Sequence, residues 1–295
     1  MYTNCLFSNK SLELLRFKYL IMKKILIIVM FLGINGFSQE FQGRAFYMSK
    51  MNVNMDFMKN MPPDRVNYMK ARMKTATEKN YTLEFNSISS YFEEEERLDP
   101  SGQGGGFNWM QFVTGPAQGS IYKDLQSNMY VNKKELYGKI FLVKDSIKPS
   151  KWVMSGETKK IGIYNAYKAT ITKKVEERVM SFGRPRPGEA PAEPEMRTKE
   201  VVMTAWFTPE IPVSSGPSMY GGLPGLILEI NDDRTTMLCT KVIINPKEKI
   251  KIKEPSKGKQ VTNLEYEKIA KDKQEEMQGM YRGRRGGGSR ARISN

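Results

Sequence analysis

Beyond residue 40 the chain consists mostly of short runs in which apolar and polar residues alternate, beginning with FQGRAFYM at 41–48. Successive side chains of a strand point to opposite faces, so a two-residue period marks a strand with one buried face. The same pattern, or a compact apolar run, recurs at 81–85, 89–92, 120–124, 128–131, 139–143, 167–172, 201–207, 226–231 and 237–244, each bounded by polar or glycine-containing turns. Such spacing predicts an antiparallel meander. Residues 62–74 read as a helix with prolines at its start. Residues 262–277 read as a second helix, opened by Thr262 and Glu265 in capping-box spacing. The expected fold is therefore mainly β (α+β). It would be a long antiparallel curved sheet, forming a half-barrel or open barrel, with one N-terminal and one C-terminal helix. In outline it is similar to periplasmic lipoprotein carriers.

Two insertions interrupt the pattern, at about 99–118 and 180–199. The first mixes glycines with aromatics and the second is rich in proline and charge. Neither carries enough apolar surface to offset its ordering entropy, so both are expected to be surface loops. Gly104, Gly105 and Gly106 lack the following Lys-Ser/Thr of a phosphate-binding loop. Phe107, Trp109 and Phe112 are the exception in the first loop, because clustered aromatics there suit contact with a ligand or partner.

The densest punctuation lies at 203–230, where two apolar runs flank closely spaced glycine and proline. Trp206, Pro212, Gly216, Pro217 and the hexamer Gly222, Leu223, Pro224, Gly225, Leu226, Ile227 carry a resemblance to the GLPGLI family, exported bacterial proteins of unassigned activity. The resemblance is specific over 206–230. Proline removes a donor and fixes its own φ, while glycine reaches conformations closed to other residues. The hexamer therefore reads as a structural tight turn feeding a strand. Many members of this family are encoded beside TonB-dependent outer-membrane receptors, which implies a receptor accessory role. Many also carry a pair of cysteines, one of them at the position of Ala166 here.

Met22, Lys23 and Lys24, the apolar run 25–33 and the small-residue end at Ser38 have the form of a cleaved secretory signal peptide. The run falls short of the ~20 apolar residues of a membrane-spanning helix. Translation is expected to start at Met22, the mature protein near Gln39, and its location to be periplasmic or secreted. One β-rich domain is expected over 39–281, followed by a basic Gly/Arg-rich disordered tail at 282–295.

Removal of residues 1–38 takes away Cys5 and leaves Cys239 as a lone thiol in a strand-like run, most simply a buried one. The chain has no histidine, which excludes Ser-His-Asp and Cys-His catalysis and His-ligated zinc. The acidic run Glu93, Glu94, Glu95, Glu96 lacks the Asp-x-Asp and glycine of a calcium loop and reads as a solvated strand end. No catalytic residue and no cofactor is expected. Met48, Met51, Met55, Met58, Met61, Met69 and Met73 recur mostly at spacings of three and four. Packing on the sheet is the leading reading. Thioethers also suit Cu(I), so Met51, Met55, Met58, Met69 and Met73 form an alternative metal set.

The chain carries 47 Lys and Arg against 32 Asp and Glu, a net charge of +15; residues 1–38 hold five basic and one acidic residue, which leaves +11. Much of the excess sits in the tail. On an exported protein this suits anionic lipid, lipopolysaccharide or an acidic partner, and no nucleic acid is expected. The sequence thus points to a non-enzymatic periplasmic protein that binds an apolar ligand or a cell-envelope partner such as a TonB-dependent receptor. A Cu(I)-binding protein and a carboxylate-dependent hydrolase remain the alternatives.

Overall fold

The computed structural model describes residues 16–24, 41–52, 58, 61–95, 119–179 and 195–286. The chain divides into two units, Met1–Phe41 and Gln42–Asn295. Within the first, residues 16–24 form helix α1; the apolar run 25–33 lies outside the described residues. No described helix is long and apolar enough to cross a membrane.

The described residues of the second unit form one sheet of twelve strands: β1 (Gln42–Met51), β2 (Glu78–Asn86), β3 (Ser89–Glu94), β4 (Ser120–Asp124), β5 (Met129–Leu136), β6 (Lys139–Ser146), β7 (Val153–Ile161), β8 (Tyr164–Val179), β9 (Glu195–Thr208), β10 (Leu226–Asn231), β11 (Thr235–Ile244) and β12 (Lys259–Val261). Their order is β12-β6-β5-β4-β3-β2-β1-β11-β10-β9-β8-β7. Two meanders, β1 to β6 and β7 to β11, are joined where β1 pairs β11. The sheet does not close, because β7 and β12 stand at opposite ends. It is mainly β, as the alternation predicted, but mixed: β12 runs parallel to β6, which corrects the all-antiparallel expectation. β11 and β12 run in the same direction, so the connection between them traverses the length of the strands before β12 begins.

Strands β7 and β12 were not legible as strands. The sequence of β7 has no alternating burial to advertise, since nearly all of it is exposed, and β12 is three residues long. The β8–β9 hairpin pairs from Tyr167–Phe207 out to Val179–Glu195. Residues 195–199 are thus strand, and the expected insertion at 180–199 is shorter than its composition suggested.

Cross-strand pairing places Ala45, Leu83, Phe92, Ile121, Asn132 and Val143 in one row on the first face. Tyr47, Phe85, Ser90, Lys123 and Tyr130 share that face by the two-residue period. Phe92 stacks on Tyr81, with centroids 4.9 Å apart, and meets Tyr47 edge-on. Helix α2 (Pro63–Thr77) has Pro63 at its first position, where its missing N–H costs nothing. Helix α3 (Asn263–Gly286) starts at the capping box foreseen: Thr262 Oγ1 accepts from the Glu265 amide at 3.2 Å, and Glu265 Oε2 accepts from the Thr262 amide at 2.7 Å. Donation from the Thr262 amide, and from its hydroxyl, to Glu265 Oε2 holds the Glu265 carboxyl below its ordinary value. Tyr266 packs with Tyr130, Phe141, Val143 and Val261, fixing α3 to the β6 end. The helix continues to Gly286, past Met277 and into the segment expected to be tail.

Candidate functional site: a carbonyl cage beneath the motif loop

Residues 209–225 connect β9 to β10 and supply acceptors for its first two amides, on the stretch of β10 that precedes its pairing with β11 at Glu229, Ile230 and Asn231. The Leu226 amide donates to Ile211 O at 3.0 Å, and the Ile227 amide to Ser215 O at 3.0 Å. Ile211, Val213 and Ser215 are buried while Pro212 and Ser214 are exposed, a strand-like alternation outside any named strand.

Lys123 lies under this loop. Its side chain is 2% exposed, and its Nζ donates to Gly216 O at 2.9 Å, Ser218 O at 3.0 Å and Tyr220 O at 3.0 Å. An ammonium has three donors and no acceptor, so three converging carbonyls satisfy it completely. The convergence depends on a turn closed by the Tyr220 amide on Pro217 O at 3.1 Å, with Ser218 at φ +54°. A left-handed serine costs on the order of 1 kcal/mol, offset here by the cage it completes. Desolvation pushes the Lys123 amine down from 10.5 to about 7.

Further bonds tie the loop to the sheet. Ser90 Oγ and Ser215 Oγ lie 2.9 Å apart, Trp152 Nε1 donates to Gly221 O at 2.9 Å, and Tyr220 OH donates to Asp232 Oδ2 at 3.0 Å. Beneath β10, Tyr47 OH donates to Ile227 O at 2.7 Å. Burial raises the Tyr47 and Tyr220 hydroxyls well above their ordinary value. With their protons retained, both act as fixed donors.

The motif glycines divide by mechanism. A Cβ on Gly225, at φ +153°, would lie 2.1 Å from Thr208 O and 2.6 Å from its carbonyl carbon, while one on Gly216 would meet the Ile227 side chain at 2.7 Å. Gly222, at φ +83°, faces open space. Leu223 and Ile227 are buried, Pro217 is buried, and Pro224 is exposed. The Gly225 amide donates to Leu223 O at 2.8 Å, which makes the hexamer a tight turn into β10, as its composition implied. Trp206 stands on the other face of the sheet. Lys159 lies 4.3 Å from its ring centroid and is paired with Glu229 at 2.7 Å.

Of the remaining candidate residues, only Met58, Met69 and Met73 are brought together. Phe107, Trp109, Phe112 and Met55 lie outside the described residues, and Met51 is half-buried at the end of β1. Met58 and Met73 are buried together, with Met61, Met69 and Val66 packed against them. Glu94 pairs with Lys79 at 2.8 Å, and Glu95 accepts from Thr82 at 2.8 Å. Cys239 is buried and free; desolvation lifts its thiol to about 11, and its Sγ lies 3.5 Å from Lys241 O. Ala166 is buried on β8. Sequence reasoning missed Lys123, Ser90, Tyr47 and Trp152. The signal existed for Lys123, which shares its strand face with the buried Ile121.

Comparison with known proteins gives a family model described as a protein of unknown function (Porph_ging), matched over residues 152–229, the stretch from Trp152 through the motif loop into β10. No curated protein matches the chain. Among solved structures, PNGF-II in space group C2 is similar over 78% of this chain and 32% of its own, at 15% identity and TM-score 0.42. PNGF-II in space group P21 gives 78%, 33%, 15% and 0.45. The chain spans about a third of those structures. The clamped loop and its flanking strands are therefore similar to a family that is itself of unknown function.

Proposed function

We propose that this is an exported, non-enzymatic binding protein of the GLPGLI type, with the motif loop as a structural clamp and a cell-envelope protein, such as a TonB-dependent receptor, as its partner. The observation that carries this reading is the open end of the sheet at β7. Ile163 at the β7–β8 turn is 82% exposed, Val153 is 65% exposed and Met154 is 51% exposed, and β7 pairs only with β8 among the described strands. A partner strand laid on this edge gains main-chain bonds and apolar contact together. The register shift between Met154 and Thr158, with Gly156 at φ +75° and Lys159 and Lys160 beyond it, discourages indiscriminate strand pairing. A partner shaped for the irregular edge is favoured over self-association.

The test is a photo-crosslinking residue at Ile163 or Thr158 of the full-length exported protein, with Lys133 on β5 as control. A discrete adduct with one envelope protein from β7 and β8 positions only supports the reading. No adduct, or equal adducts from Lys133, counts against it.

One observation favours a second reading. Met58, Met61, Met69 and Met73 gather in one cluster, as a thioether site for Cu(I) would require. Titration of the reduced ion separates this from packing.

A further inference from the structure

Between β11 and β12 the chain crosses the face of the sheet opposite Lys123. This strap, residues 245–258, is pinned along its length. The Ile250 amide donates to Gln42 Oε1 at 3.0 Å, and Glu254 pairs with Lys144 at 2.9 Å. Gly258 sits so close to Ile140 that a Cβ there would lie 3.0 Å from its carbonyl oxygen. Lys144 pairs in register with Val131, as does Tyr122, the neighbour of Lys123, which assigns the strap to the second face.

Ile250 is buried and Ile252 half-buried, while Lys247, Lys249, Lys251 and Lys253 are exposed. From Lys249 to Lys253 a two-residue alternation thus sends the isoleucines inward and the lysines outward, while Lys247 precedes it at a bend beside the exposed Glu248. Lys257 and Lys259 continue the basic run, also exposed. Alternate residues of extended chain are about 7 Å apart. The acids in the segment are Glu248 and Glu254, the latter held by Lys144. Among the described residues, no carboxylate pairs with Lys247, Lys251 or Lys253.

We infer that the strap is a binding surface for a linear acidic polysaccharide whose anionic groups fall along the lysine row. Charges held on a pinned backbone need little ordering on binding, which favours a regular polyanion. The strap contains no aromatic residue and no arginine, so it offers neither the stacking platforms of single-stranded nucleic acid binding nor bidentate forks for compact phosphates. A line of ammonium groups also matches a chain better than the plane of a lipid surface.

The full-length protein is titrated at low ionic strength with heparin, polygalacturonate, neutral dextran, anionic phospholipid vesicles and single-stranded DNA. Two triple variants are compared, Lys247→Gln/Lys251→Gln/Lys253→Gln and the control Lys70→Gln/Lys74→Gln/Lys160→Gln. Both keep the basic segment from Arg282 to Arg292. Taking about fivefold per lysine at an anionic surface, the strap variant is expected to lose roughly 100-fold in affinity for the acidic polysaccharides. The control should lose under about threefold. Equal losses would make the effect one of net charge and overturn the assignment. So would no polysaccharide binding, or tighter binding to vesicles or DNA than to both polysaccharides. The row runs from β1 toward β6, four or more strands away from β7, so crosslinking at Ile163 is unchanged by the strap variant.

Discussion

Replacing Lys123 with methionine tests the cage directly. The change keeps the side chain's length and removes three donors, leaving Gly216 O, Ser218 O and Tyr220 O without the partners they have at 2.9 to 3.0 Å. Hydrogen bonds from a charged donor contribute about 1.5–3 kcal/mol each, or roughly 5–9 kcal/mol for three. Against this stands the cost of burying the charge: a fall from 10.5 to about 7 corresponds to about 5 kcal/mol at ~1.4 kcal/mol per unit. Lost bonds and orphaned carbonyls outweigh the relieved desolvation, and Lys123→Met is expected to destabilise by about 3 kcal/mol at pH 7. The wild type carries a second signature. Between pH 7 and 9 the folded amine has lost its proton while the unfolded one keeps it, so the unfolded state binds more protons and stability rises with pH. The expected gain is about 2 kcal/mol over that window. Below about pH 6 the dependence from this group vanishes because both states are protonated. Above pH 9 the raised thiol of Cys239, at about 11, acts in the opposite direction. Urea unfolding of both proteins at pH 7, 8 and 9 reads these quantities as midpoints at constant m. Equal stability of the two proteins at pH 7 would show that the cage does not hold the loop. The same pH dependence in both would show that the three carbonyls keep the amine charged despite its burial.

Gly225→Val is expected to destabilise by more than ~3 kcal/mol, because its Cβ would overlap backbone atoms of Thr208 that cannot move aside. Gly222→Ala, strained only by its positive φ, is expected to lose about 1 kcal/mol; thermal unfolding that ranks them the other way would refute the distinction. Tyr47→Phe removes the bond to Ile227 O and is expected to lose roughly 1–3 kcal/mol by urea unfolding. The triple change of Met58, Met69 and Met73 to leucine is expected to lose under ~1.5 kcal/mol per site; a folded leucine variant that has lost tight Cu(I) binding shown by the wild type would replace packing with the soft-metal reading. N-terminal sequencing of the exported form is expected to find Gln39 or a close neighbour, and an intact Met1 or Met22 in the membrane pellet would refute export by a cleaved signal peptide.

Local chemistry was readable wherever it was settled by near neighbours. The alternation through Tyr81, Leu83 and Phe85 announced β2, Thr262 and Glu265 announced the start of α3, and glycine and proline announced the turn into β10, because each depends on residues a few positions apart. The position of Lys123 on a buried face was implicit in its register with Ile121. What it binds was not, since Gly216 is 93 residues away and the cage exists only when a left-handed Ser218 turns three carbonyls toward one point. The exposed, irregular β7 could not be read from periodicity, because a strand with both faces in water has no apolar period to show. The lysine row had the same limit in reverse. Its alternation is plain in the sequence, yet only Gln42 on β1 and Lys144 and Ile140 on β6 give the strap a fixed course and turn its charges outward together.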